Sequence, residues 1–105
     1  MKRVELCKTD ELAPGEHRRF EVEGRAICLA HCNDGFRAID DTCSHEDYSL
    51  AEGELDADSC EIECWKHGSI FSFVTGEPVT FPATRPVAVF ATEVDNDTVS
   101  VLVDE

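Results

Sequence analysis

Hydrophobic and polar residues alternate over short runs in this chain. Between Arg18 and Glu23 the apolar Phe20 and Val22 alternate with polar residues, and β-branched residues cluster at Val87 to Phe90 and at Thr98 to Val103. A period of two lines one face of an extended strand, so these segments predict strands. Turn chemistry separates them at Pro14 Gly15, Glu23 Gly24, Asn33 Asp34 Gly35, Gly76 Glu77 Pro78 and Asp95 Asn96 Asp97. That spacing is expected of an antiparallel all-β domain. The apolar stretch Ala26 to Ala30, the Asn33 Asp34 Gly35 turn and Phe36 to Ile39 predict a hairpin that ends just before Asp40. Helix signals are weak, and Thr9 to Leu12 has room for one helical turn before Pro14 and Gly15.

A different composition begins at Asp40. Residues 40 to 76 hold the only Trp and the only Tyr, two of the four histidines and three of the six cysteines, among many acids. With that content the segment reads as an insertion organised by a ligand rather than by a core. With 105 residues the chain suits one domain, too small for a large catalytic machine.

Nine basic against 23 acidic residues give a net charge of -14, which repels a phosphate backbone or an anionic bilayer. Nucleic acid and membrane are therefore poor partners. The acidity fits either simple solubility or steering toward a basic patch on another protein. Glu5 interrupts any apolar signal core at the N-terminus, and no apolar run is long enough to span a bilayer, so a cytoplasmic protein is expected. In that compartment cysteines read as metal ligands or buried thiols.

Two short motifs carry the chemistry: Cys43 Ser44 His45, and Cys64 Trp65 Lys66 His67. Each offers one sulfur and one imidazole nitrogen from a tight loop, and two such loops facing each other enclose a site with two donors of each kind. A structural zinc and a 2Fe-2S cluster both fit that set. Zinc sites commonly pair Cys with Cys and His with His, whereas here each half brings one of each, which favours the cluster.

These boxes, with Asp47 Tyr48 Ser49 Leu50, Gly53, Gly68, Phe71, the Thr75 Gly76 turn and Pro82, give a chain that resembles the Rieske-type ferredoxins of bacterial ring-hydroxylating dioxygenase systems along nearly its whole length. The resemblance implies an all-β Rieske fold as a single domain, with a base of antiparallel strands at 1–40 and 77–105 and a cluster-binding subdomain at 41–76. It implies one 2Fe-2S cluster per chain, with Cys43 and Cys64 on the buried iron and His45 and His67 on the outer iron. Phe81 Pro82 Ala83 resembles the family's proline loop over the cluster. The implied role is that of an electron carrier and not an enzyme: electrons come from a flavin-dependent NAD(P)H ferredoxin reductase and pass to a terminal oxygenase. A monomer is expected. A zinc-stabilised interaction module and the small subunit of a nitrite reductase are the alternatives.

In respiratory members of the family an extra cysteine in each box forms a clamping disulfide; the matching positions here look like Tyr48 and Lys66, so that clamp is absent. Cys7, Cys28, Cys32 and Cys60 are accordingly expected as free thiols. Ser69 matches a serine that donates to a cluster sulfur, while Phe71 stands where high-potential members have tyrosine, which predicts a low potential within the roughly -150 to +300 mV Rieske range. If the outer nitrogens of His45 and His67 reach solvent, the potential should fall at alkaline pH.

His17 and His31 lie outside the boxes and are expected to be surface residues. Cys28 and Cys32 share strand parity around His31, which reads as two buried thiols in preference to a second metal site. Trp65 suits either a cover over the site or an aromatic contact for a partner. Glu46, Asp47, Glu52, Glu54, Asp56, Asp58, Glu61 and Glu63 form either a solvated acidic loop or a docking patch.

Overall fold

A computed structural model describes residues 2–43, 48–65, 68–79 and 85–103. Among the described residues ten strands run β1 (Lys2–Lys8), β2 (His17–Val22), β3 (Arg25–Cys32), β4 (Gly35–Asp40), β5 (Glu54–Asp56), β6 (Glu61–Glu63), β7 (Ile70–Ser72), β8 (Val89–Phe90), β9 (Thr92–Asp95) and β10 (Thr98–Val103). All pairings are antiparallel and form three sheets, ordered β1-β10-β9, β2-β3-β4-β8 and β5-β6-β7. Thr9–Glu11 makes the single 3-10 turn allowed before Pro14, and Leu50–Glu52 makes another. No α-helix occurs among the described residues, and none of their helices is long and apolar enough to cross a membrane.

The expected hairpin forms with Cys32 opposite Gly35, so Asn33 and Asp34 make a two-residue connection, and β4 includes Asp40. Strand β3 explains the architecture. Its uninterrupted apolar run reflects burial on both faces. Ile27 and Leu29 point into a core shared with Leu12, Val22, Phe90, Val99 and Val101, between the first two sheets. Cys28, Ala30 and Cys32 point the other way, into a second core with Ile39, Leu50, Ile62, Phe71 and Phe73.

That second core corrects the expectation that residues 40 to 76 are organised by a ligand rather than by apolar packing. Leu50, Ile62, Phe71 and Phe73 are completely buried. Each side chain of this size contributes about 1.5–3 kcal/mol on burial. Ile62 and Phe71 lie in three-residue strands, too short to display a period, and Leu50 and Phe73 lie in turns.

A second correction concerns the cysteines. Cys7 and Cys28 are thiols, but Cys32 and Cys60 form a disulfide with their Cα atoms 5.5 Å apart. The bond joins the end of β3 to the turn between β5 and β6. Their 28-residue separation hid the pairing. The turn brings them together: the Asn33 N–H donates to the Ala57 carbonyl at 3.1 Å, and the Asn33 side-chain amide donates to Asp58. By chain entropy such a closure contributes about 3–4 kcal/mol.

Candidate metal centre

Cys43 follows β4 by three residues. Its N–H donates to the Tyr48 carbonyl at 2.9 Å, and Thr42 bridges Ser49, which holds the two ends of the first box against each other. Asp41 secures that junction from inside the protein. Its side chain is 1% exposed, accepting from Ser49 Oγ at 2.6 Å, the Ala51 N–H at 2.9 Å and Arg19 Nε at 3.2 Å. Its backbone carbonyl accepts from the Leu50 N–H at 2.6 Å. Entry and exit of the first loop are thereby tied to each other and to β2.

The second loop is the connection of the β6–β7 hairpin. Cys64 donates its N–H to the Ser69 carbonyl at 2.7 Å, and Gly68, at φ +77°, returns its own N–H to the Cys64 carbonyl at 2.9 Å. Gly53 brings the two loops together. A β-carbon there would sit 1.6 Å from the Glu63 carbonyl oxygen, so only glycine lets the turn after the first loop lie against the strand leading into the second.

Cys43 and Cys64 are 2% and 0% exposed, belong to the same apolar cluster and are in no disulfide. Ser69 and Phe71 are also fully buried. Trp65 is half exposed and meets Tyr48 edge-on, with ring centroids 5.3 Å apart, so one aromatic from each loop forms a pair across the gap between them. His45 and His67 lie outside the described residues, as do Ser44, Glu46, Asp47, Lys66 and the Phe81 Pro82 Ala83 segment.

The other histidines serve the fold. His17 Nε2 donates to the Ala51 carbonyl and His31 Nδ1 to the Leu12 carbonyl, each at 2.8 Å, and His31 stacks on Phe36. Both are partly buried and not simple surface residues. Cys32, being in the disulfide, offers no thiolate beside His31, and burial pushes the Cys28 thiol far up, with the Asp41 carboxylate adding to it.

Acidic residues concentrate on β5 and β6. Glu54 faces Glu63 and Asp56 faces Glu61 directly across the two strands. Like charges in register destabilise a sheet. None of the four is ion-paired among the described residues.

Residues 2–91 match the Rieske [2Fe-2S] domain family. The chain is 38% identical over 104 residues to the ferredoxin component of biphenyl 2,3-dioxygenase from Rhodococcus jostii, covering 99% of this chain and 94% of that protein. Among solved structures it is similar to the ferredoxin of carbazole 1,9a-dioxygenase from Nocardioides aromaticivorans, with TM-score 0.92, 33% identity and 96% and 97% of the two chains covered. It is similar as well to a chain from a complex of reduced oxygenase and oxidized ferredoxin in carbazole 1,9a-dioxygenase, with TM-score 0.88, 37% identity and coverage of 94% and 91%.

Two loops with buried cysteines, closed over one core and matched along most of the sequence, place the chain in the Rieske [2Fe-2S] domain family, among its ferredoxins. It is an electron-transfer component and not a catalyst, with one 2Fe-2S cluster per chain. Cys43 and Cys64 fit that group in chemistry, offering soft sulfur donors shielded from water at adjoining loop mouths.

Proposed function

We propose that this protein is a soluble, cytoplasmic, monomeric one-electron carrier in which Cys43 and Cys64 bind the inner iron and His45 and His67 the outer iron. The observation that carries this reading is the pair of buried cysteines at the mouths of two joined loops, each followed by a histidine within three residues. When bound, the cluster gains and loses a single electron.

The chain supplies the surroundings. Leu50, Ile62 and Phe71 keep water from the two sulfurs, and Ser69 lies fully buried in the second loop. Asp41 and Gly53 hold the loops in position. The two apolar cores support a division into a base at 1–40 and 77–105 and a cluster-binding subdomain at 41–76, with β3 as the shared wall.

Electrons arrive from a flavin-dependent NAD(P)H ferredoxin reductase and leave to a terminal oxygenase. The dioxygenase ferredoxins among the relatives and the oxygenase–ferredoxin complex among the similar structures support the oxygenase end of this route. Trp65, half exposed beside the second loop, and the carboxylates of Glu54, Asp56, Glu61 and Glu63 form the docking face, whose partner surface is basic with an apolar recess. The functional test is anaerobic coulometry with metal analysis. Two irons and one reversible electron per chain are expected of a [2Fe-2S] site, whereas stoichiometric zinc with no reducible centre overturns the reading.

A further inference from the structure

The disulfide between Cys32 and Cys60 lies outside the cluster loops, in the core that also holds Cys43 and Cys64. Cys32 ends β3, and the segment it closes with Cys60 contains β4, Cys43 and β5. Cys60 precedes β6, whose three residues lead directly to Cys64. Its backbone takes φ +57°, uncommon for a residue with a side chain, and its carbonyl accepts the Phe73 N–H at 2.9 Å. Both half-cystines are buried, at 2% and 3% exposure, within the core that also holds Cys43 and Cys64.

A disulfide is readily lost in a reducing compartment unless the attacking thiolate is kept out. Here access is restricted twice. The sulfurs are covered, and the exposed carboxylate of Asp58, held by the side chain of Asn33 next to Cys32, repels an anionic thiolate. The carboxylate of Asp34 comes within 4.8 Å of both sulfurs, but Arg37 engages it at 2.7 Å, which also holds its pKa below the ordinary carboxylate value. It is committed to that ion pair and not to a metal.

We propose that Cys32–Cys60 is a shielded redox latch that retains the cluster by pinning the β5-β6-β7 sheet to β3. The retention half of this proposal rests on the ferredoxin reading above. Opening needs a dithiol reductant: one thiolate attacks a sulfur to form a mixed disulfide, and the second displaces it. Two electrons pass to the pair, two protons end on the Cys32 and Cys60 sulfurs, and the reductant leaves as its own disulfide. With the latch open, only hydrogen bonds and packing hold β6, and Cys64 with it, against the base.

The test uses the cluster-loaded protein, unfolded in guanidinium with excess N-ethylmaleimide and no reductant, and weighed by mass spectrometry. Of the six cysteines four are expected to be labelled; six labelled would show that the latch does not form. Iron release to a chelator is then timed for the untreated protein, for protein opened with dithiothreitol, and for the double variant Cys32→Ser with Cys60→Ser. Release on the order of tenfold faster in the opened forms is expected, and the dithiothreitol arm decides if the variant does not fold. Equal rates overturn the latch, while a preparation without iron counts against the ferredoxin reading and leaves the label count to decide the bond.

Discussion

Arg19 Nε donates to Asp41 Oδ2 at 3.2 Å, joining a half-exposed guanidinium on β2 to a carboxylate that water does not reach, two residues before Cys43. The two partners contribute unequally. Arg19 also pairs with Glu21 at 3.0 Å and is 45% exposed, so losing it costs at most about 1 kcal/mol. Losing the carboxylate strands the Ser49 hydroxyl and the Ala51 N–H.

Asp41→Ala is therefore expected to destabilise the protein by about 3 kcal/mol, against about 1 kcal/mol for Arg19→Ala. Guanidinium unfolding, followed through both visible bleaching and far-ultraviolet dichroism, measures the difference. Equal effects of the two substitutions would show that the carboxylate does not anchor the first loop.

Alkaline stability provides a second prediction. Burial raises the Cys28 thiol pKa above its ordinary 9.0, with the Asp41 charge adding to the effect. A raised pKa means that the folded state keeps a proton which the unfolded state releases. The contribution is full below pH 9 and declines as pH rises through the interval between the unfolded and folded values. Stability should fall above pH 9 by up to about 1.4 kcal/mol per pH unit from this group. Cys28→Ala should flatten that slope, measured as unfolding free energy from pH 8 to 11; an unchanged slope contradicts the assignment.

Docking gives a third. The register of Glu54 with Glu63 and of Asp56 with Glu61 concentrates charge on one strand pair. Second-order electron transfer to a terminal oxygenase should slow on the order of tenfold from low to physiological ionic strength. Trp65→Ala should slow it further without altering the spectrum of the cluster. Stopped-flow mixing measures both effects, and a rate independent of salt removes the acidic face from the docking account.

The potential gives a fourth. Ser69 is the hydroxyl residue of the second loop, and Phe71, buried two positions on, brings none. Hydrogen bonds to the cluster sulfurs raise the potential. Spectroelectrochemical titration should return a negative value that falls again in Ser69→Ala; a clearly positive value for the unaltered protein contradicts the prediction.

Much of this arrangement was legible because it is local. The Asn33 Asp34 Gly35 hairpin, the short helical turn after β1 and the two Cys/His boxes each occupy a few consecutive residues. Glycine positions that carried the family resemblance acquire a cause in the structure. A β-carbon at Gly53 would strike the Glu63 carbonyl, and one at Gly76, at φ +75°, would lie 2.1 Å from the Val87 carbonyl. The relationships that were not legible link distant positions. Cys32 and Cys60 meet only because two turns stack, and Asp41 looks like one more acid in an acidic segment until Arg19, Ser49 and Ala51 surround it.

The central claim is that Cys43, His45, Cys64 and His67 hold a 2Fe-2S cluster. The most direct measurement is the electron paramagnetic resonance spectrum of the anaerobic, dithionite-reduced protein. The expected result is a rhombic signal whose average g value lies below that of all-cysteine clusters, because two imidazoles replace two thiolates on one iron. A signal with the average g of an all-cysteine cluster, or no signal from a colourless protein that contains zinc, would contradict it.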